Sequence, residues 1–146
     1  MAVTLDDDAR QYLALFEDVT GATGQDCIVD TADDADSDDR LILVVASDQM
    51  GDAIGPGGQT IQRFEEQVEA TVRLVEDADD PEAFVANTLA PAAVYNVTIS
   101  ENDDTVAYVE VADEDRGVAI GSNGRTIDAA RTLADRHFDI DDIQLT

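Results

Sequence analysis

The sequence lacks several residue types, and each absence limits what the protein can be. All eight basic residues are arginine, and a chain without lysine cannot contain a Walker-type P-loop. Cys27 is the only cysteine, so an intramolecular disulfide is excluded, and the apolar run Cys27-Ile28-Val29 predicts a buried thiol. No apolar stretch approaches the length of a membrane span. Residues 1 to 8 lack the basic region and apolar core of a signal peptide, so we expect a cytoplasmic protein.

Candidates for catalysis and metal binding are also scarce. The single histidine, His137, lies near a predicted helix end without a partner to activate it. The segment from Asp34 to Asp38 begins like a calcium loop, but Asp39 stands where that loop requires glycine and Val45 where it requires glutamate. We therefore expect no catalytic residue, no metal site and no cofactor, and a binding protein rather than an enzyme.

Negative charge dominates the composition. The chain carries 34 acidic and eight basic residues, a formal net charge of −26. Residues 1–77 hold 19 acids and residues 78–146 hold 15, so there is no acidic tail. A regular apolar pattern argues against disorder, which leaves an acidic partner-binding surface or adaptation to molar salt. We favour the halophilic interpretation, because a Debye length of about 3 Å at 1 M salt screens the self-repulsion. The charge therefore does not exclude a nucleic-acid partner.

One segment of the sequence occurs twice. Residues 45–61 and 111–127, offset by 66 positions, are identical at nine of 17 positions. The match predicts a repeat of one small unit, with a first domain at 1–77 and a second at 78–146.

The order of predicted elements also repeats. The apolar spacing in each half predicts helix, strand, strand, short helix, glycine loop, helix and strand. A capping box at Thr4 and a glycine stop at Gly21 bound the first helix, and Asp80-Pro81 starts the helix that opens the second half. Asp48 and Asp113 are the predicted caps of the two short helices.

The glycine loops suggest phosphate binding. Gly55-Pro56-Gly57-Gly58 and Gly121-Ser122-Asn123-Gly124 each separate a short helix from a longer one. A helix start presents unpaired amides and a positive dipole end, and glycine lets a backbone approach closely. A single Gly-x-x-Gly more often serves only as a turn. Two copies, each preceded by isoleucine and followed one residue later by Thr-Ile, favour a binding role.

These loops and the element order resemble KH domains of type II, and residues 81–92 resemble the segment joining the paired KH domains of NusA. The resemblance is to the archaeal NusA-like transcription factors and covers essentially the whole chain. It implies an α+β fold of two tandem type II KH domains, each a three-stranded sheet packed on helices in the order α-β-β-α-α-β.

The same resemblance implies single-stranded RNA as the partner, in transcription termination or antitermination. RNA polymerase and other transcription proteins are candidate further partners. Ile54 and Ile120 would line the RNA grooves or anchor the loops from beneath. The implied RNA-binding residues are Ile54, Gly55, Pro56, Gly57, Gly58, Gln59, Arg63, Arg116, Ile120, Gly121, Ser122, Asn123, Gly124, Arg125 and Arg131.

The two loops differ in their nearby cations. KH loops commonly carry a basic residue inside or beside the glycines, but the first loop has only Arg63 downstream. The second has Arg116 before it and Arg125 directly after it, so we predict that the second domain contributes more phosphate affinity. Arg131 and Arg136 either add to that affinity or solvate a helix face. An adaptor with an acidic docking surface and a ribosome-associated KH protein remain alternatives.

Overall fold

The computed structural model describes residues 7–30 and 40–146. Two predicted features, the capping box at Thr4 and the acidic loop from Ala32 to Asp39, lie outside the described residues. The chain divides into two compact units, with the boundary between Asp77 and Ala78. Each unit is described below by itself.

The first unit is a three-stranded sheet with helices on one side. Its strand order is β1-β2-β3, with β1 antiparallel and β3 parallel to the central strand β2. Its elements are α1 (Asp7–Thr20), β1 (Gly24–Asp30), β2 (Arg40–Val45), α2 (Met50–Ile54), a 3-10 turn (Pro56–Gly58), α3 (Gln59–Val68) and β3 (Thr71–Glu76).

The second unit repeats this topology. Its strand order is β4-β5-β6, again with one antiparallel and one parallel pair. Its elements are α4 (Pro81–Leu89), β4 (Val94–Glu101), β5 (Thr105–Val111), a 3-10 turn (Asp113–Asp115), α5 (Arg116–Ile120), a second 3-10 turn (Ser122–Gly124), α6 (Arg125–Phe138) and β6 (Asp142–Leu145). The predicted α+β fold of two type II KH domains is confirmed.

Each unit has its own hydrophobic core. In the first, Phe16 of α1 and Phe64 of α3 are fully buried and meet edge to face, with ring centroids 5.3 Å apart. Leu41 and Leu43 of β2 contribute to the same core, and the buried Cys27 lies in it as predicted. Apolar positions at helical spacing thus hold α1 and α3 against one face of the sheet.

The second core is built from α4, α6 and the sheet. Ile127, Ala130 and Ala134 of α6 are buried with Val109 of β5 and Ile143 of β6. The three α6 positions are the inward-facing residues that the helical period predicts. Phe84 of α4 packs against both Phe138 and His137 with tilted rings, at ring-centroid distances of 5.2 Å. His137 is therefore a packing residue against an aromatic ring.

Helix starts were predicted with mixed success. The Asp80 carboxylate accepts from the Ala83 N–H at 3.0 Å, with Pro81 at the first helical position, as predicted. Asp48 and Asp113 do not cap: α2 begins after Gln49, and Asp113 opens a 3-10 turn ahead of α5. The physical reason is tertiary, because the residues directly before α2 and α5, Gln49 and Asp115, accept from backbone N–H groups just ahead of the first strand of each unit.

Candidate nucleic-acid interface

The two glycine loops occupy the same place in each unit, between a five-residue helix and a longer one. Helix α2 ends where the Gly55 N–H donates to the Gly51 carbonyl at 2.9 Å, and α5 ends where Gly121 donates to Gly117 at 2.9 Å. Within each loop the last glycine donates back to the first, at 3.1 Å in both. The hydrogen bonding is therefore duplicated along with the sequence.

The backbone conformations of the loops are nearly superimposable. The first glycines, Gly55 and Gly121, have φ/ψ of 75°/172° and 79°/171°. At the third position Gly57 has 59°/20° and Asn123 has 56°/24°. The last glycines, Gly58 and Gly124, have 78°/11° and 76°/13°. Two different sequences thus give one loop structure.

Two separate constraints, one on backbone conformation and one on space, require glycine at the first loop position. Its conformation lies in a region that essentially only glycine adopts. A Cβ on Gly55 would also stand 2.6 Å from the Thr60 Cβ, and one on Gly121 would stand 2.8 Å from the Thr126 Cβ. The repeated threonine therefore packs under the first glycine of its loop. This contact explains why Thr follows the loop in both repeats.

The third loop position is less demanding. Both residues there are left-handed, and a Cβ on Gly57 would meet nothing within 4 Å. Asparagine tolerates this region better than most residues, and Asn123 shows that the loop accepts a side chain there. Gly57 is also exposed, so a substitution at that position would change the loop surface, at the cost of some backbone strain from the positive φ.

The helices after the loops begin without side-chain caps. The cap residues of α3 and α6 are Gly58 and Gly124, and neither offers a side-chain acceptor to the first-turn amides. First-turn N–H groups have no intrahelical acceptor. Their direction and the helix dipole suit a negatively charged group placed at the loop.

The isoleucine before each loop lies on the surface. Ile54 is 40% exposed and Ile120 is 39% exposed, whereas the preceding Ala53 and Ala119 are fully buried. Of the two roles that the sequence left open, lining a groove fits these exposures and anchoring the loop from beneath does not. Val118, 45% exposed on α5, adds apolar surface in the second unit, where the first unit has Asp52.

The predicted cations are not equivalent. Arg63 of α3 is exposed. One terminal nitrogen of Arg116 donates to the Thr146 carbonyl at 2.8 Å, and the half-buried Arg125 also has interactions within the protein. Arg131 is bound within the second unit, where it pairs with Asp142 at 2.9 Å and donates to the Ile143 carbonyl at 3.1 Å. Arg131 thus connects α6 to β6.

Two contacts that position the loops were missed at the sequence level. The Gln49 side chain, just before α2, accepts from the Thr23 N–H, and Asp115, just before α5, accepts from the Ala93 N–H at 2.8 Å. Thr23 and Ala93 each precede the first strand of their unit, so both short helices are tied to the sheet at one point. The acceptor is a side-chain amide in Gln49 and a carboxylate in Asp115, so a comparison of the two repeats does not reveal the shared contact.

Other candidate chemistry is limited. Across residues 7–30 and 40–146, no group of three or more His, Cys, Asp or Glu side chains could hold a metal ion. Over those same ranges, none of the helices has the length and apolar character needed to cross a bilayer. On β3, burial lowers the pKa of Arg73, and the nearby charge of Arg40 lowers it further. Both arginines belong to strands and not to a glycine loop.

Comparison with known proteins matches the chain to KH-domain proteins. The profile described as "NusA-like second KH domain" matches residues 81–146, and the profile described as "KH domain" matches residues 40–109. A protein of Halococcus morrhuae named "Probable transcription termination protein NusA" is 58% identical over 145 residues, 99% of each chain. Its namesake in Halobacterium salinarum is 56% identical over 146 residues, 100% of each chain.

The fold is also found among solved structures. The protein in "Crystal structure of APE1850" has a TM-score of 0.78 at 26% identity, covering 97% of this chain and 100% of that chain. The two relatives above come from halophilic archaea, in agreement with the salt-adapted composition. With relatives this similar along their full length, the chain belongs to the NusA-like family of tandem KH-domain proteins.

Proposed function

We propose that the protein binds single-stranded RNA through its two glycine loops and acts on transcription termination or antitermination. Each loop takes up the sugar-phosphate chain, and the neighbouring isoleucine lines the groove in which bases lie. The protein is a binding protein and not an enzyme, and its place of action is the cytoplasm, with transcription complexes as its setting.

The observation that carries this proposal is the duplicated loop. Two loops of different sequence, Pro56-Gly57 and Ser122-Asn123 between their glycines, keep one backbone conformation at the uncapped start of a helix. A turn needed only for chain reversal would not require the same exposed isoleucine beside it in both units. The printed names of the full-length relatives support a role in termination.

The mode of binding follows from the charge. Affinity from counterion release falls as salt rises, by about 0.7 log units per neutralised phosphate for each log unit of salt on single strands. Amide hydrogen bonds, apolar contact and stacking do not depend on salt in this way. A protein with a net charge of −26 that grips RNA with backbone groups fits binding in molar salt.

The two loops contribute unequally in this proposal. Arg125 opens α6 directly after the second loop, and Val118 widens the apolar surface there, whereas the first loop has Asp52 at the matching position. We therefore assign the larger share of the affinity to the second unit, with Arg116 and Arg125 as its cations. Arg131 contributes little, because its guanidinium already binds Asp142 and the Ile143 carbonyl.

The test is fluorescence anisotropy with short single-stranded RNAs and matched DNAs in about 2 M KCl, where charges are almost fully screened. Variant Ser122→Asp/Asn123→Asp adds two charges to the second loop at exposed positions. The control Gln11→Asp/Asn102→Asp adds the same charge at exposed positions away from both loops. We expect a loss of RNA affinity of about tenfold or more in the loop variant, because each new carboxylate would lie in direct contact with the bound phosphate, where salt screens little. We expect no loss in the control.

The corresponding variant of the first loop, Pro56→Asp/Gly57→Asp, should cost less affinity. Equal losses in loop and control variants would mean that only net charge matters. If the folded wild-type protein bound none of the nucleic acids, the proposed function would be wrong.

A further inference from the structure

The second sheet has an open face with two tyrosines. One face packs on the helices through Val109 and Ile143. The opposite face, here called the outer face, is formed by Asn96, Thr98, Ser100, Val106, Tyr108, Glu110, Asp142 and Gln144. Tyr108 lies in register with Thr98 on one side and Gln144 on the other, and it is 38% exposed.

Tyr95 extends this face at the start of β4. The register of β4 and β5 shifts between Val94 and Asn96, so Tyr95 is the extra residue of a β-bulge. Bulges redirect a side chain, and Tyr95 is 66% exposed. Tyrosine and other aromatic residues are enriched in the parts of a surface that become buried in interfaces.

A shallow cavity of about 400 Å³ lies beside Tyr95. Its other lining residues are Glu110, Val111, Asp113, Glu114 and Thr146. Three of the six are carboxylates and none is basic. The Arg116 guanidinium lies at the edge of the cavity, where it donates to the Thr146 carbonyl, and Arg131 pairs with Asp142. In the described part of the chain, the three cavity carboxylates form no ion pair.

The first unit has the same fold without tyrosines or a glutamate at the matching positions. The bulge residue that matches Tyr95 is Gln25. The 66-residue offset matches Tyr108 with Ile42 and Glu110 with Val44. Ile42 and Val44 are fully buried. Acidic residues are common throughout this chain, so the distinguishing feature is the combination of exposed aromatic rings with carboxylates in one concave place.

We propose that the outer face of the second sheet is a docking site for a basic protein segment, with an arginine stacked on Tyr95 and paired with Glu110 and Glu114. A guanidinium group satisfies an aromatic face and a carboxylate at the same time. RNA fits less well, because its phosphates would lie against three carboxylates. The site is separate from the glycine loops and does not depend on the proposed RNA binding.

The test is a nuclear magnetic resonance titration of the full chain in about 2 M KCl. The probe is the peptide acetyl-Gly-Arg-Gly-Arg-Gly-amide, and its neutral counterpart has citrulline in place of arginine. We expect the arginine peptide to shift the amide signals of Tyr95, Tyr108 and Glu110, and the citrulline peptide to have little effect. Variant Tyr95→Gln/Glu110→Gln should weaken binding by about tenfold.

The matched control is Glu101→Gln/Asp103→Asn, which removes two exposed carboxylates at the tip of the same hairpin. It should leave the affinity for the arginine peptide within about twofold of wild type, since the tip is at the opposite end of the strands from Glu110. Equal weakening by both variants, shifts spread over the whole acidic surface, or equal binding of the citrulline peptide would overturn the proposal. The proposal would also be overturned if a single-stranded RNA shifted the amide signals of Tyr95 and Tyr108 and the arginine peptide did not.

Discussion

Gly55 and Gly121 are the residues on which the loop structure depends most. Both have a backbone conformation reserved for glycine, and a side chain on either would collide with the threonine beneath it. We expect Gly55→Ala to lower the free energy of unfolding of the first unit by about 1–3 kcal/mol, measured by urea denaturation in molar KCl.

Gly51, four residues earlier, is the matched control. It lies within α2, its φ is not left-handed, and a Cβ there would meet nothing within 4 Å. Gly51→Ala should therefore raise stability by about 0.5–1 kcal/mol, because alanine loses less backbone entropy in a helix. Similar losses in both variants would contradict the role assigned to the loop conformation.

At the scale of single residues, the sequence predicted which residues form the loops better than it predicted what each of them contacts. The loops, Ile54 and Ile120 could be identified because they repeat, and repetition is visible in one sequence. The packing of Thr60 under Gly55 could not be predicted, since it depends on a backbone conformation that glycine permits but does not dictate.

At the scale of elements, Arg131 connects the end of the second sheet to α6. Its guanidinium binds the Asp142 carboxylate and the Ile143 carbonyl, both on β6. Arg131→Ala should lower the stability of the second unit by about 1–2 kcal/mol, because the carbonyl loses a charged donor. The exposed Arg63 offers the contrast, since Arg63→Ala should leave stability unchanged and weaken RNA binding. Thermal unfolding would measure the stability of both variants, and fluorescence anisotropy would measure their RNA affinity. A loss of stability in Arg63→Ala without one in Arg131→Ala would contradict these roles.

The side-chain bonds before α2 and α5 fix where each short helix meets its sheet. Asp115→Ala removes the acceptor of the Ala93 N–H. We expect faster hydrogen exchange of the Ala93 amide by about tenfold, as the local bond is worth about 1 kcal/mol. Asp113→Ala, at the first residue of the same 3-10 turn and without a capping role, is the control. An equal change in that variant would contradict the role given to the Asp115 contact.

Strands were easier to predict than short helices. The bounds of β2 and β5 match the apolar runs, because a strand packed on one or both faces must show its pattern in sequence. Helices of five residues are too short to show a period. The start of α2 and α5 was misassigned to Asp48 and Asp113 because Gln49 and Asp115 are held by residues far away in sequence.

At the scale of the whole molecule, charge should make folding depend on salt. The first 77 residues carry 19 acids and the remainder 15, so both units repel themselves when screening is removed. We expect the urea midpoint of unfolding to rise steadily between about 0.1 M and 2 M KCl, as the Debye length falls from about 10 Å to below 3 Å. Circular dichroism would measure it, and a midpoint independent of salt would contradict the halophilic interpretation.

The distribution of rare side chains gives each unit its own natural probe. The single thiol, Cys27, is buried in the first unit at 3% exposure. The chain has no tryptophan, and two of its three tyrosines, Tyr95 and Tyr108, lie in the second unit. Thiol-reagent kinetics therefore report the opening of the first unit, while tyrosine fluorescence reports mainly the second. The order in which the two halves of this acidic repeat open can be recorded on the unlabelled, unmutated protein.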